Sequence, residues 1–191
     1  GLSMSSRSSV VPGHNPTGEE MKSEAGVQEL GPRETSLFRA MAARANYLSQ
    51  DRSDIKYAVK EISRRMAKPR LRDLEGVKRL ARYLISHVRA VQVFAAQEFN
   101  KVLEGWSDSN FAGCLETRKS TSGGVIKWGS HIIKNWSTTQ SVIALSSGEA
   151  EYYALVKAGS QLLGIKSMMR DFGIIREGRP VRPVSYTHLT L

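Results

Sequence analysis

The sequence predicts an α/β domain of about 100 residues, an ordinary domain size, preceded by a small basic helical segment. Three observations carry that reading. Apolar residues recur at helical spacing from Thr35 to about Arg89. Near Ala90 the period shifts to short strand-like runs, two of which meet at a Gly129–Ser130 turn signal. A helix-length stretch then opens at Ser146–Ser147.

Residues 1–34 are rich in Ser, Gly, Pro and Glu with few large apolar groups. Such a composition does not repay its ordering entropy, so a linker or disordered arm is expected, with His14 solvated. TSLFRAMAARANYLSQ then offers Leu37, Met41, Ala45 and Leu48 at helical spacing behind a Ser or Thr cap. DRSDIKYAVKEISRRMAKP places Ile55, Val59, Ile62 and Met66 on one face and stops at Pro69. RDLEGVKRLARYLIS supplies a third helix with Leu74, Val77, Leu80, Ala81 and Leu84 inward.

After Ala90, AVQVFAAQ and VLEGWSD read as strands, and GGVIKWGS with HIIKNWSTT as a hairpin. SSGEAEYYALVKAGSQLLGIKSMMRDFG reads as one long helix with a serine cap and Gly173 as its stop. Its Asp171–Phe172–Gly173 lacks the glycine-rich and catalytic loops that would make it a kinase motif. RPVRPVSYTHLTL offers one more strand. No internal repeat is visible.

Net charge is +10, from 28 Lys and Arg against 18 Asp and Glu. Between Arg52 and Arg89 stand twelve basic residues and four acids. That excess points to a polyanionic partner, nucleic acid before membrane, because phosphate contacts release counterions. Arg64, Arg65, Lys78, Arg79 and Arg82 are the candidate contacts there. No apolar run approaches the roughly 18 residues of a membrane span, and the start lacks a secretory signal. The single cysteine, Cys114, excludes an internal disulfide and a thiolate-rich zinc site. An intracellular setting, cytoplasmic or nuclear, is the expectation.

Acids carry the candidate chemistry. Metal-assisted phosphodiester hydrolysis uses carboxylates that converge on two cations about 4 Å apart. Asp108 closes the strand that begins at Val102, and Glu149 and Glu151 open the long helix. A spacing of two puts those glutamates on different faces, so only one can point with Asp108. Ala150, Tyr153, Ala154 and Ala158 form a stripe able to pack closely on a sheet; Glu151 borders it, whereas Glu149 suits a cap.

As strings, these stretches say more. WSDSNFAG, RKSTSGG and KNWSTTQSVIALSSGEAEYYAL follow in order and closely resemble the ribonuclease H region of copia-type retrotransposon polyproteins. ARANYLSQDRSDIKYAVKEISRRMAKP and GVKRLARYL resemble the end of the reverse transcriptase in the same polyproteins, at its thumb and connection. The resemblance covers roughly residues 35–174. It implies a ribonuclease H-like mixed sheet with a long packed helix over 90–183, preceded by the basic segment at 35–89. It also implies that Asp108 and Glu151 are catalytic metal ligands for Mg2+ in a two-metal site acting on RNA–DNA hybrids. Arg118 and Lys119, in the turn between the first two strands, would contact a phosphate or simply shape the loop. Trp136 and Gln140 match as well, Trp136 read first as core. The remainder of the Pol polyprotein is an implied partner.

Departures matter. The family often carries Asp and Trp where this chain has Asn110 and Phe111. After the long helix the family continues to a strand ending on a third carboxylate, with a fourth beyond. Here PVRPVSYT leads instead to His188, Leu189, Thr190 and Leu191, and 184–191 reads as an atypical, adaptor-like tail. The domain is therefore expected to be C-terminally incomplete, with weak magnesium binding and negligible hydrolysis. No tyrosine–x–aspartate–aspartate occurs, so polymerisation is not expected. The rival expectations are a non-catalytic nucleic-acid-binding module built on the basic helices and a degenerate product without a role.

Overall fold

A computed structural model describes residues 9–13, 17–23, 27–98, 102–175 and 180–185. His14 and most of the adaptor-like tail lie outside these residues. The chain divides into two units, Gly1–Val91 and Gln92–Leu191.

The first unit is helical. It contains α1 (Gly18–Lys22), α2 (Pro32–Leu48), a 3₁₀ turn (Ser53–Ile55), α3 (Lys56–Ser63) and α4 (Leu71–Ser86). The described residues among 1–34 carry more structure than their composition suggests. Thr17 and Glu20 close a capping box on α1, and Glu29 bridges Arg70, with Leu30 N–H donating to the Pro69 carbonyl at 3.0 Å. Helix α2 starts at Pro32 behind Gly31 rather than behind Ser or Thr, because proline fits the first helical position, where no backbone donor is needed.

The core joins Phe38, Ala42, Ile55, Val59, Ile62, Leu74, Val77, Leu80 and Tyr83. On α2 the buried face is rotated one residue from expectation. Phe38 and Ala42 are fully enclosed, whereas Leu37 and Leu48 are exposed. The one phenylalanine on the helix takes the centre, and Met41 and Ala45 flank it. On α4, Tyr83 joins the buried face. Its hydroxyl donates to Asp54 Oδ2 at 2.9 Å, and Arg52 grips both Asp54 oxygens at 3.0 and 2.7 Å. Arg52 also donates to the His87 carbonyl at 3.0 Å, so this nearly buried cation is a structural clamp.

The second unit is α/β. Strands β1 (Leu103–Asn110), β2 (Thr121–Trp128), β3 (His131–Thr139) and β4 (Val181–Ser185) form a mixed sheet in the order β3-β2-β1-β4, and α5 (Ser147–Asp171) packs on it. β2 pairs antiparallel with β1 and β3, and β4 runs parallel to β1. Gly129 adopts φ 58° in the β2–β3 turn, the left-handed conformation that glycine tolerates without a Cβ penalty. Gly173 (φ 69°) ends α5, donating its N–H to the Arg170 carbonyl at 2.8 Å. Val184 and Ser185, read as the start of an atypical tail, pair with Trp106 and Ser107 in β4.

AVQVFAAQ forms no strand. Its residues reach the β2–β3 turn through side chains and one carbonyl. Gln97 accepts from Ser130 N–H at 3.1 Å and donates to the Trp128 carbonyl at 2.8 Å, and His131 Nε2 contacts the Ala95 carbonyl at 2.6 Å. Apolar alternation marked this run as a strand, but its Val91, Val93 and Phe94 are exposed, with no sheet face to cover them.

Leu103, Ile126, Leu162, Ile165, Met169 and Ile175 form the second core, flanked by Trp128 and Trp136. Ala150, Ala154 and Ala158 are fully buried, so the expected stripe on α5 exists; Tyr153, at 38% exposure, stands outside it. Among the described residues no helix is long and apolar enough to cross a membrane.

Two outcomes follow from this packing. A Cβ on Gly124 would meet Trp136 Cζ2 at 2.1 Å. Gly124→Ala is expected to cost the second unit about 1–3 kcal/mol through overpacking, read as a lower urea midpoint by tryptophan fluorescence. All three tryptophans lie in that unit. In the helical unit, the hydrogen bond from Arg52 holds Asp54 below its ordinary pKa of 3.8, helped by Tyr83 and opposed by burial. A carboxylate lowered in this way stabilises the fold above its unfolded pKa and loses that contribution as pH falls through the folded value. Amide exchange of Val77–Tyr83 should therefore be faster in Asp54→Asn at neutral pH, with the difference shrinking below about pH 4.

Candidate functional site

The site is built where α5 begins. Ser146 caps the helix, its Oγ accepting from Glu149 N–H at 3.1 Å. Glu149 turns back and takes Leu145 N–H on Oε2 at 2.7 Å, a capping role. Glu151, two residues on, faces the sheet and is only 5% exposed. Its Oε1 accepts from Ser109 twice, from N–H at 3.1 Å and from Oγ at 2.8 Å. Oε2 is buried and has no hydrogen-bond partner. Leaving a buried carboxylate oxygen unmatched is costly, and such an atom calls for a cation, a proton or a bound water.

Strand register extends this contact into a row. Ser109 stands opposite Ser122, and Ser122 opposite Thr138, so three hydroxyls cross the sheet on its helix-facing side. Ser109 holds Glu151. Ser122 accepts from Gln140 Nε2 at 2.9 Å, and the same nitrogen donates to the Ala150 carbonyl at 2.8 Å. Thr138 accepts from Lys157 Nζ at 2.6 Å. Burial, followed by the neighbouring Lys134, lowers the Lys157 pKa below its ordinary 10.5.

Asp108 is placed differently. Gly105, beside Leu162, and the buried Ser107 mark the helix-facing side of β1, which Ser109 shares. Asp108 falls between two of these positions, on the opposite side and exposed. The structure thus brings Glu151 to the residue next to Asp108, with the Asp108 carboxylate emerging on the other side of the strand. No group of three or more His, Cys, Asp or Glu that could hold a metal occurs among the described residues.

The loop from β1 to β2 is shaped by two non-glycine residues with positive φ, Ala112 (49°) and Arg118 (55°). Such backbone costs on the order of 1 kcal/mol per residue and needs support. Support comes from Ser120 Oγ, which accepts from Ala112 N–H at 3.0 Å, and from Arg118 N–H donating to the Cys114 carbonyl at 2.7 Å. The Arg118 side chain is exposed. Lys119 Nζ donates to the Ser141 carbonyl at 2.6 Å, tying this loop to the one before α5.

Similar proteins place the chain. It is 33% identical over 149 residues to a retrovirus-related Pol polyprotein from a transposon of Arabidopsis thaliana, 78% of this chain and 10% of that one. The chain belongs to the family of copia-type retrotransposon Pol polyproteins. It is also 32% identical over 143 residues to an uncharacterized mitochondrial protein of the same plant, covering 59% of it. A secreted RxLR effector protein of Plasmopara viticola is 35% identical over 111 residues, with 75% of that protein covered. The chain thus spans about three fifths of that mitochondrial relative and a tenth of the Arabidopsis Pol polyprotein. No family model matches it, and no solved structure does.

Within this Pol polyprotein segment the basic residues of the helical unit are partly engaged. Arg64 pairs with Glu61 at 3.1 Å and Lys78 with Glu75 at 2.6 Å. Arg79 Nε donates to the Val11 carbonyl at 3.3 Å. Arg65, Arg79 and Arg82 converge on one cleft of about 470 Å³, but Glu61, Asp73 and Glu75 line it too. With Arg72 and Glu20 included, that lining carries four arginines and four acids, so the run of cations in sequence does not become a positive excess there. Ser109 and Ser122 carried no sequence signal of their own; only the register, which sets them side by side, makes them partners of the α5 start.

Gln140 is the residue whose loss should show this network most plainly. Gln140→Leu leaves Ser122 and the Ala150 carbonyl without their donor, and a buried acceptor without a partner costs about 1–3 kcal/mol. The expected result is a lower urea midpoint by tryptophan fluorescence, with amide exchange in α4 of the other unit unchanged.

Proposed function

We propose that the α/β unit is a ribonuclease H-like domain of a Pol polyprotein, of the kind that cuts the RNA strand of RNA–DNA hybrids, with Mg2+ held weakly at Glu151 and negligible hydrolysis by this chain itself. The observation that carries this reading is the buried, unpartnered Oε2 of Glu151. Ser109 fixes the carboxylate through Oε1 and leaves the other oxygen as a pre-oriented acceptor. The mixed sheet with a long helix across it is compatible with this fold, and the ordered motifs support it.

The residues present suit one cation better than two. Magnesium is commonly bound through one or two carboxylates, its other positions filled by water and substrate phosphate. Glu151 would be the fixed ligand, and Asp108, on the opposite side of β1, would contribute only through the field of a nearby negative charge. When bound, the ion supplies Lewis-acid activation of water and neutralises charge developing on the phosphate. Buried on the sheet, Glu151 keeps one orientation through Ser109 and presents Oε2 without reorganisation. Discrimination for RNA would come through the 2′-hydroxyl and A-form shape. Beyond Glu151 the given sequence contains Asp171 and Glu177 as its acids, and we take hydrolysis by this chain to be negligible.

Calorimetric titration of the chain with Mg2+, and separately Mn2+, tests the metal reading. One weak site is expected, abolished by Glu151→Gln and weakened by Asp108→Asn. Incubation with a labelled RNA–DNA hybrid and Mg2+ is expected to give no cleavage above background. Unchanged titration of Glu151→Gln would sink the metal assignment; robust cleavage lost in Asp108→Asn would sink the claim of inactivity.

A further inference from the structure

We propose that Lys134 and Lys157, on the seam between β3 and α5, form a phosphate-contact site for the backbone of a nucleic-acid strand passing Glu151. Lys157 projects from α5 onto Thr138 of β3, and Lys134 projects from β3 onto Gln161 of α5 at 2.5 Å. Each ammonium is thus held by one neutral oxygen. Neither is among the ion pairs of the described residues.

The sequence explains why this seam is so positive. From Thr117 through Gly148, and again from Tyr152 through Arg170, there is no Asp or Glu. β2, β3 and nearly all of α5 therefore bring no counter-charge to the two lysines. They stand close enough that Lys134 helps to hold Lys157 below its ordinary value. Two like charges held in place beside an acid-free surface are unfavourable until an anion joins them, and a phosphate oxygen is an acceptor for both.

The hydroxyl row fixes where that anion would lie. Thr138 is two strands from Ser109, about 10 Å across the sheet at the usual strand spacing. Lys157 is six residues beyond Glu151, about 9 Å along the helix. Lys134 lies four residues back along β3 from Thr138, about 13 Å further on. The two lysines thus lie on the side of the seam leading away from Glu151, along both β3 and α5. The relation of that side to the scissile phosphate rests on the metal reading above; the affinity for a phosphodiester does not.

The test is fluorescence anisotropy of the full chain with a labelled RNA–DNA hybrid in EDTA across a series of salt concentrations. Working without metal keeps the result independent of whether Glu151 binds a cation. Lys134→Gln with Lys157→Gln is expected to weaken binding and to lower the log–log salt slope by about two, roughly one per lost phosphate contact. Lys134→Gln alone, at an exposed position, should lower it by about one and keeps the test usable if the double variant folds poorly. Lys134→Arg with Lys157→Arg should retain the slope. The charge-matched control is Lys127→Gln with Lys166→Gln. Lys166 is nine residues from Lys157, on the opposite side of α5. Loss confined to the seam variants supports the site. No binding by the unaltered chain, an unchanged slope in the seam variants, or an equal loss in the control overturns it.

Discussion

Helix α5 lies close on β1 because neither surface carries bulk at the contact. Ala150, Ala154 and Ala158 are fully buried along the helix. Gly105 on the strand leaves room for Leu162, whose Cδ2 would stand 3.4 Å from any Cβ added there. With so little space, the residue after Ala150 cannot reach water. Glu151 must point under the sheet, and a carboxylate sent there needs donors. Ser109 supplies two, from its amide and its hydroxyl. The close approach of helix and strand thus creates the buried acid, and its half-satisfied state follows from the same packing.

This constraint also explains why the motif residues are mostly architectural. Gln140 ties the Ala150 carbonyl to Ser122, so the first turn of α5 is anchored to β2 just where Glu151 leaves it. Ser120 supports a strained loop residue, and Lys119 binds that loop to the segment entering α5. Buried polar groups cost little when fully paired and a great deal when broken. Strings that look like a catalytic signature therefore consist largely of side chains holding one glutamate in place. Asp108, exposed on the far side of β1, is the member of the set with no such structural duty.

Much of this was legible in the sequence because it depends on local order. The hairpin followed from period-two runs around Gly129–Ser130, and the long helix from its serine cap, alanine stripe and glycine stop. Features set by contacts distant in sequence were not legible. Ser109 and Ser122 become partners only through register, and Arg52 becomes a clamp only when α4 brings Tyr83 against Asp54. The face of α2 was misjudged by one position because spacing cannot tell whether Leu37 or Phe38 fills the centre of the core. AVQVFAAQ alternates like a strand, yet Gln92, Ala95 and Gln97 are held by β3 and the turn before it, through side chains and a carbonyl instead of a ladder. Basic residues counted along the chain overstated the positive surface, since Glu61 and Glu75 sit one helical turn from Arg64 and Lys78.

On the proposed reading, Glu151 Oε2 is an acceptor kept open for a divalent cation. Anomalous diffraction from crystals of the chain soaked in Mn2+ tests it most directly. An anomalous peak bonded to Oε2 at about 2 Å, the reach of oxygen ligands to such ions, is expected, with Ser109 still on Oε1. Absence of that peak at saturating Mn2+, with a water or a protein donor seated on Oε2 instead, would contradict it.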